Sequence, residues 1–335
     1  MRAARLIAYG DPPTFEIADI PDPAPGAGEV VVDLVAAAFN RRDLGIWSES
    51  GYCPLPVTLG SDGAGVVSAV GKGVRDLDPG QEVVIDPTLG WGDSEECPTD
   101  AFAILGAPID GTFAEHVLVS AANVAPRPRR LSWEESAAMN LAGLTAWRAV
   151  VTCGRAGPGM AVLVTGAGGG VATFAVQIAV ALGARVWVTS GSDEKIERAR
   201  ELGAEGGFRY DDPDWPAGAR AATGGRGLDA VVDSYAAGVW QPALEALRRG
   251  GTLVSYGDTG GDDVTVAAWQ VYWEWRRVIG TSMGSPREFR QMVDHMASAS
   301  WRPVIDSVHP LAEVATAARR LAEPDRFGKV VLAIG

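Results

Sequence analysis

The chain has 335 residues, of which 47% are hydrophobic and 21% charged, with a formal net charge of −13 and three cysteines. Because a single hydrophobic core rarely extends beyond about 250 to 300 residues, this length predicts two domains. The negative charge argues against nucleic-acid binding, which relies on cationic contacts to phosphates, and three scattered cysteines cannot form an even set of disulfides. With no apolar run near the ~18 residues of a membrane span and no signal-peptide segment, we expect a soluble, cytoplasmic protein.

The N-terminal half, up to about Asn123, is predicted to consist mostly of β-strands. Its apolar runs are short and rich in β-branched residues, and glycine or proline interrupts them repeatedly: VVVDLVA, AGVVSAVG, EVVIDP and EHVLVS. This pattern of short apolar runs and turn residues is typical of antiparallel β structure. Residues 86–110 form a long, turn-rich segment to which the sequence assigns no structure.

From Leu131 onward, helical segments alternate with single apolar strands. The strands LVT, RVWVTS, DAVVDS and TLVSYG are separated by segments of helical character such as VATFAVQIAVALG and DEKIERARELG, which Gly183 and Gly203 are expected to end. A series of this kind predicts a parallel sheet. Tyr256 and Gly257 end the strand TLVSYG at the carboxyl edge of that sheet, where such folds bind ligands.

The segment VLVTGAGGGVATF, residues 162–174, is almost bare of side chains at its centre. It follows a predicted strand and opens a predicted helix, so its amides lie where unpaired N–H groups and the helix dipole favour an anion. Glycine lets the backbone approach such a ligand closely, which indicates a site for the pyrophosphate of a dinucleotide. The residues assigned to this site are Gly168, Gly169, Gly170 and Val171.

Six motifs occur in order along almost the whole chain: FNRRD, LGSDGAGVVSAVG, GTFAEHV, LAGLTAW, VLVTGAGGGVATFAVQIA and FGKVVL. Together they resemble the medium-chain dehydrogenases and reductases, especially the zinc-independent quinone oxidoreductase branch. The resemblance implies an α/β fold with a GroES-like, β-rich catalytic domain at residues 1–123 and 268–335. It also implies a Rossmann domain with a doubly wound parallel sheet at residues 124–267, which binds the dinucleotide.

The zinc sites of the metal-dependent relatives have no good counterpart in this chain. Where those relatives carry cysteine, then histidine, then a cysteine or an acid, the sequence has Asn40, then Ser61 and Asp62, then Leu141 and Ala142. Structural zinc needs four ligands, and residues 86–110 hold one cysteine, Cys97. The three histidines lack a spaced partner and are expected to be structural or exposed: His116 in a strand, His295 in a helix and His309 before a proline. We therefore expect no metal.

A chain with no zinc ligand set is expected to act on a softer electrophile than a simple alcohol or carbonyl. Quinones and α,β-unsaturated carbonyls accept hydride at carbon and spread charge to oxygen, so the protein need supply positioning and a hydrogen-bond donor. Asn40, at the position of the family's asparagine, and Tyr52 are the candidate donors; the alternatives are a helix cap over Asp43 and simple packing. Thr145 resembles the family threonine beside the nicotinamide, and its alternative is a hydroxyl bonded to its own helix.

NADP(H) is the expected cofactor. NAD-specific sites carry an acid about twenty positions beyond the glycines, where this chain has Ser190. Asp193 and Glu194 follow, but they are more typical of the acidic first turn of the next helix. Lys195 and Tyr210 lie at the spacing of the lysine and tyrosine that contact the 2′-phosphate in NADPH-dependent quinone reductases. Their alternatives are an ordinary exposed lysine and a packed aromatic side chain.

The sequence leads to a zinc-independent, NADPH-dependent reductase of quinones or activated double bonds. A zinc-type alcohol dehydrogenase with unrecognised ligands, or a nucleotide-binding protein without catalysis, stays open, since the fold alone does not fix function. The segment RRVIGTSMG, residues 276–284, resembles the edge strand that relatives pair across a two-fold axis, so a homodimer is expected. The only other partner expected is a small-molecule substrate.

Overall fold

A computed structural model describes residues 1–335, which form two compact units. Unit 1 consists of residues 1–144 and 285–335, and unit 2 consists of residues 145–284. Both boundaries lie later in the chain than the predicted ones after residues 123 and 267. The strand pairing within each unit explains the difference.

Strands outnumber helices along the chain. The strands are β1 (Arg2–Ala8), β2 (Thr14–Asp19), β3 (Glu29–Ala38), β4 (Val57–Thr58), β5 (Asp62–Val70), β6 (Glu82–Ile85), β7 (Thr88–Leu89), β8 (Ala103–Ile104), β9 (His116–Ser120), β10 (Val124–Pro126), β11 (Ala161–Val164), β12 (Arg185–Ser190), β13 (Gly206–Arg209), β14 (Leu228–Asp233), β15 (Leu247–Ser255), β16 (Arg277–Gly280), β17 (Ile305–Pro310) and β18 (Lys329–Ala333). The α-helices are α1 (Arg41–Ser48), α2 (Trp133–Ala138), α3 (Asn140–Trp147), α4 (Gly170–Ala181), α5 (Asp193–Glu201), α6 (Trp215–Ala222), α7 (Trp240–Ala246), α8 (Ala268–Tyr272), α9 (Pro286–Ser298) and α10 (Val314–Ala322). Short 3₁₀ turns cover Ala121–Asn123 and Leu311–Glu313, and a π-helix covers Arg148–Cys153.

Unit 1 is built mainly on antiparallel sheets, as its short β-branched runs predict. In its seven-stranded sheet the order is β10-β6-β5-β3-β18-β17, and β9 also pairs with β3. The last strand, β18, pairs antiparallel with β3, so that Val331 lies opposite Ala38. This pairing places residues 285–335 in unit 1. Because β10 continues the same sheet through β6, and α2 packs on β3 and β5, the first boundary falls beyond residue 123.

Two smaller sheets complete unit 1. One has three strands in the order β2-β1-β4, and the other is the two-stranded pair of β7 and β8. The pair of β7 and β8 lies within residues 86–110, the segment to which the sequence assigns no structure.

Unit 2 contains a six-stranded sheet in the order β13-β12-β11-β14-β15-β16, in which every pair of neighbours is parallel. The order reverses at β11, which has β12 on one side and β14 on the other, so the predicted doubly wound Rossmann sheet is confirmed. All six residues of β14 are buried, as expected for a strand covered on both faces. The second boundary falls after residue 284 because β16 pairs with β15.

Each unit has its own core of aliphatic and aromatic side chains. Gly183 and Gly203 follow α4 and α5 with φ of +79° and +103°, so the predicted helix ends are confirmed. No helix in the structure combines the length and the apolar character needed to cross a bilayer.

Candidate functional site

The glycine-rich segment follows β11, next to the point where the strand order reverses. Gly166 and Gly168 have φ of +70° and +96°, a backbone region that residues with a Cβ rarely adopt. Gly169 precedes α4 in an extended conformation, and no side chain caps the first turn of this helix. The N–H groups of that turn, which begins at Gly170 and Val171, can therefore bind an anionic ligand at the positive end of the helix dipole.

The buried carboxylate of Asp233 holds the turn that follows β14, the strand next to β11 in the sheet. Asp233, at the end of β14, accepts a hydrogen bond from Thr165 Oγ1 at 2.7 Å through its Oδ1. Its Oδ2 accepts from the backbone of Ala236 at 3.0 Å and from Trp240 Nε1 at 3.2 Å. The hydroxyl of Thr165 in turn accepts from the backbone N–H of Ser234 at 3.1 Å. The turn after β14 is thus tied to the start of the glycine-rich segment.

The structure brings Ser190, Lys195 and Tyr210 to the ends of β12 and β13. Ser190 ends β12, is buried, and accepts a hydrogen bond at Oγ from Ser192 N at 3.1 Å. Ser192 caps α5 by accepting from the backbone N–H of Lys195 at 3.4 Å. Tyr210 follows β13, and its exposed ring stacks on that of Tyr235 with centroids 6.1 Å apart. The three predicted residues therefore lie in adjoining segments of one sheet edge.

The acidic residues after Ser190 have the structural role that the sequence favours. Asp193 and Glu194 form the first turn of α5, as predicted. Asp193 Oδ1 lies 3.7 Å from Arg209, an exposed pair. β12 ends at Ser190, so the position at which NAD-specific sites carry an acid has a hydroxyl side chain.

Three further residues were assigned to the cofactor site. Tyr256 and Gly257 follow β15 at the edge of the sheet, and Thr145 lies in α3. Tyr256 follows β15 and donates its backbone N–H to Asp233 O at 2.9 Å. A Cβ added to the next residue, Gly257, would lie 3.2 Å from Ser234 O, so the backbone of this turn is packed closely. Thr145 is buried in α3.

Unit 1 contains a buried polar cluster formed by Asn40, Asp62 and Lys329. The Lys329 ammonium donates to Asn40 Oδ1 at 2.6 Å and to Asp62 Oδ2 at 2.8 Å. Asp62 Oδ1 accepts the backbone N–H of Leu141 at 2.8 Å. The side chains of Lys329 and Asp62 are 2% and 0% exposed. Burial raises the pKa of Asp62 above its ordinary value, and the Lys329 ammonium opposes this shift.

The amide nitrogen of Asn40 is the one side-chain group of this cluster without a hydrogen bond of regular geometry. Asn40 Nδ2 is buried and makes no hydrogen bond of regular geometry, while the amide acts as a donor beside Asp62 and helps to lower the pKa of that carboxyl. The residue directly precedes α1, and its backbone N–H donates to Asp43 Oδ2 at 2.7 Å, which is the helix-cap contact that the sequence analysis gave as the alternative to a donor role. Burial raises the pKa of Asp43 to about 6, while the charge of Arg42 and the bond from Asn40 oppose the shift. A buried polar group of this kind calls for an explanation.

Tyr52 does not join this cluster. It lies in the turn after α1, whereas Asn40 precedes that helix, and its side chain is 47% exposed. Its backbone N–H donates to Glu49 O at 3.3 Å. Its predicted donor role stays a prediction without support from its surroundings within unit 1.

The residues at the family's zinc positions do not fit a zinc site. The structure brings Asn40, Asp62 and the backbone of Leu141 together, but it does so around the ammonium of Lys329. A zinc ion there would have to displace a paired cation and would find an amide and a carboxylate instead of thiolate and imidazole. Ser61 is also committed, since its Oγ accepts from Arg42 at 2.9 Å and donates to Leu105 O at 2.7 Å.

The remaining candidate metal ligands are dispersed. No group of three or more His, Cys, Asp or Glu side chains is arranged to hold a metal ion. His116 lies in β9 and His295 in α9, as predicted, and His309 lies in β17 before Pro310. His116 Nδ1 is 2.7 Å from the carboxylate of Asp33.

Sequence reasoning missed three side chains that shape these regions: Lys329, Asp233 and Tyr235. Lys329 stands inside FGKVVL, and a lysine at the start of a buried apolar strand is a signal that it has a charged partner. Asp233 ends the buried run of β14 at the carboxyl edge of the sheet, a position that could have been singled out. The stacking of Tyr235 on Tyr210 has no counterpart in sequence spacing.

Comparison with known proteins identifies relatives along nearly the whole chain. Residues 26–129 match the alcohol dehydrogenase GroES-like domain, and residues 170–298 match the zinc-binding dehydrogenase family. The zinc-type alcohol dehydrogenase-like protein YogA of Leptosphaeria maculans is 36% identical, over 93% of this chain and 92% of that protein. The quinone oxidoreductase of Rattus norvegicus is 28% identical, over 99% and 97%. The crystal structure of an NAD-dependent alcohol dehydrogenase, 41% identical, superimposes with a TM-score of 0.94 over 100% of both chains.

Proposed function

Because the chain belongs to the medium-chain dehydrogenase/reductase superfamily of oxidoreductases, we propose that it transfers hydride from NADPH to a quinone or an α,β-unsaturated carbonyl without zinc. The geometry of Asn40 carries this proposal. Its Oδ1 is held by Lys329 at 2.6 Å, and its buried Nδ2 makes no hydrogen bond of regular geometry within the protein. A buried N–H without an acceptor costs about 1 to 3 kcal/mol, which a carbonyl oxygen of a substrate would offset.

A neutral hydrogen-bond donor suits these substrates. A bound nicotinamide cofactor would supply the hydride. As hydride reaches the carbon of an enone or a quinone, negative charge moves to the carbonyl oxygen, and a donor placed at that oxygen stabilises the transition state more than the ground state. Asn40 Nδ2 can donate to this oxygen, whereas the positive charge of Lys329 is already paired with Asp62.

The nucleotide-binding edge of unit 2 supports a phosphorylated dinucleotide. The uncapped first turn of α4 would hold the pyrophosphate, and Thr165 with Asp233 would keep the adjoining turn in place. Ser190, at the end of β12, adds no negative charge there, and Lys195 lies in the first turn of the next helix, α5. These features favour a 2′-phosphate over a free 2′-hydroxyl.

A second candidate function comes from the names of relatives. YogA is called a zinc-type alcohol dehydrogenase-like protein, and the 41% identical crystal structure is that of an NAD-dependent alcohol dehydrogenase. Under this alternative the chain would oxidise an alcohol with NAD. Two features argue for the reductase instead. Ser190 stands where NAD-specific sites carry an acid, and the Lys329 ammonium is bonded to Asn40 and Asp62, which lie at the family's zinc positions.

The test compares both directions of hydride transfer. Purified protein is mixed with NADPH or NADH and a panel of quinones and enones, and separately with NADP or NAD and primary and secondary alcohols, while absorbance at 340 nm is followed. We expect oxidation of NADPH that depends on the quinone or enone. With NADPH deuterated at the transferable position, mass spectrometry should find deuterium on the β-carbon of the reduced enone and an intact carbonyl. Faster oxidation of an alcohol with NAD would establish the alternative.

A further inference from the structure

Building on the proposed function, we propose that Lys329 is a positioning residue that fixes the side-chain amide of Asn40, so that Nδ2 and not Oδ1 is presented to the substrate oxygen. Two features of the cluster lead to this role. Lys329 Nζ lies 2.6 Å from Asn40 Oδ1, and Asn40 Nδ2 is buried without a hydrogen bond of regular geometry.

The two ends of an asparagine amide are nearly equal in size but opposite in hydrogen-bonding role. A half turn of the amide exchanges an acceptor with a donor and changes the shape very little. A lysine ammonium has donors only, so it selects the orientation in which Oδ1 faces it. In the reverse orientation, Nδ2 would meet Lys329 donor to donor, and Oδ1 would repel the oxygen on which charge develops.

Lys329 can act in this way because it is itself held in place. Asp62 Oδ2 accepts from its ammonium at 2.8 Å, and Asp62 Oδ1 is fixed by the backbone N–H of Leu141. The three side chains come from neighbouring strands of one sheet, since Asp62 begins β5, Lys329 begins β18, and Asn40 closely follows β3 between them. Paired strands resist relative displacement, so the hydrogen-bonded side chains of Asp62, Lys329 and Asn40 keep one arrangement.

A purely structural ion pair is the competing explanation. Buried ion pairs often contribute little net stability, because the loss of hydration offsets the attraction between the charges. If Lys329 only held β18 to β5, its replacement would affect turnover in the same way whether or not Asn40 carried an amide. If Lys329 acts through Asn40, its replacement should lose its effect once the amide is gone.

The test is a double-mutant cycle. Lys329→Met is combined with Asp62→Asn, so that no carboxylate is left buried without a partner, and this neutral pair is introduced into the wild type and into Asn40→Ala. In the wild type we expect the neutral pair to lower kcat by about 10- to 100-fold, which is no more than removing the Asn40 donor itself would cost. KM should change less than about threefold. In the Asn40→Ala background the same substitutions should change kcat by less than about twofold.

Two further variants serve as controls. Lys329→Arg keeps a cation with donors only and should retain more kcat than the neutral pair. Arg320→Met with Asp306→Asn removes another ion pair of unit 1, one with a 2.7 Å contact that does not involve Asn40, and should leave kcat unchanged. Thermal unfolding verifies that each variant is folded.

The outcomes are distinct. If the neutral pair lowers kcat by the same factor in the wild type and in Asn40→Ala, the positioning role is overturned while the donor role of Asn40 stays intact. An Asn40→Ala variant with unchanged kcat overturns the donor role and the positioning role together. Neutron diffraction of crystals exchanged into D₂O gives a readout without turnover. We expect the deuterium atoms of Asn40 Nδ2 to point away from Lys329 in the wild type and a mixed orientation in the neutral pair; a fixed wild-type orientation in the neutral pair contradicts the proposal.

Discussion

Thr165 and Asp233 join the two central strands of the unit 2 sheet by a hydrogen bond of 2.7 Å between Thr165 Oγ1 and Asp233 Oδ1. Asp233 also accepts the backbone N–H groups of Tyr235 and Ala236, at 3.1 and 3.0 Å. These hydrogen bonds hold the turn after β14 in place. A turn held in this way loses less conformational freedom if a ligand binds to it.

The first prediction concerns cofactor choice. Lys195→Ala should raise the KM for NADPH by about ten- to a hundred-fold, because a charge-assisted hydrogen bond to phosphate contributes about 1.5 to 3 kcal/mol. NADH lacks the 2′-phosphate and should be affected little. Ser190→Asp adds a like charge beside that phosphate, so its penalty on NADPH should exceed that of Lys195→Ala. Steady-state kinetics with both cofactors measures these changes.

Arg200→Ala is the matched control for cofactor choice, since it removes a cation from the last turn of the same helix, α5. It should leave both KM values unchanged. A wild-type preference for NADH, or equal weakening of both cofactors by Lys195→Ala, would show that these residues do not distinguish the phosphate.

The second prediction concerns the hydrogen-bond donor. Asn40→Ala should lower kcat by about 100-fold and change KM less, because a donor to developing charge acts mainly in the transition state. Asn40→Asp separates this role from helix capping, since aspartate also caps helices well but, when ionised, carries no donor. Both variants should lose similar turnover. Normal turnover in a folded Asn40→Asp variant would assign the residue to the helix terminus alone.

The third prediction concerns zinc. Purified protein should contain far less than one zinc per chain, and a chelator should leave turnover unchanged, because Asn40 and Asp62 are both bonded to Lys329. Elemental analysis of protein prepared with and without added zinc measures this. About one zinc per chain, lost together with activity on chelation, would contradict this prediction.

The fourth prediction concerns self-association. β16 is an edge strand of its sheet, with Val278 exposed, and Trp269, Trp273 and Trp275 are exposed nearby in the sequence. We expect a homodimer paired through this strand, since an apolar edge otherwise invites uncontrolled association. Val278→Glu should halve the mass measured by light scattering.

Val308→Glu is the matched control for self-association. Val308 is likewise an exposed valine on an edge strand, β17, of the unit 1 sheet. Its substitution should leave the dimer intact. A monomeric wild type at micromolar concentration, or dissociation by Val308→Glu alone, would argue against pairing through β16.

The fifth prediction concerns the pH dependence of stability. Asp86 is buried after β6 and accepts the backbone N–H of Thr88 at 3.0 Å, and burial raises its pKa to about 7. The unfolded chain releases this proton near pH 4, so Asp86 lowers stability progressively as the pH rises from about 4 to 7. Asp86→Asn keeps the acceptor and removes the titration. Its unfolding temperature relative to wild type should therefore rise between pH 4.5 and pH 7.5.

The magnitude follows from linkage. A pKa raised from 3.8 to about 7 corresponds to a few kcal/mol of unfolding free energy at neutral pH, at 1.36 kcal/mol per pH unit. Calorimetry at both pH values measures the difference, with Asp100→Asn, at an exposed position, as the control. A difference between Asp86→Asn and wild type that is the same at both pH values would show that Asp86 is ionised throughout.

Much of the fold was determined by local sequence. The glycine-rich turn before α4, the ends of α4 and α5 at Gly183 and Gly203, and the acidic first turn of α5 all follow from steric and electrostatic preferences of a few consecutive residues. The alternation of strands and helices after Leu131 likewise predicts the parallel sheet. The domain boundaries were less accurate, because the membership of β10 and β16 depends on strand pairing that no local pattern reports.

Only the tertiary structure decided how the polar residues of unit 1 are used. Lys329 is separated by 289 residues from Asn40 and by 267 from Asp62, and it reaches them because β18 returns to pair with β3. The resemblance of the sequence to the family proposed Asn40 as a donor candidate and predicted that the zinc ligands are missing, because both predictions depend on which residue types stand at the family's positions. Three features depend on distances between side chains, which long-range packing sets. They are the orientation of the Asn40 amide, the bonds from Lys329 to Asn40 and Asp62, and the position of Tyr52 outside the cluster.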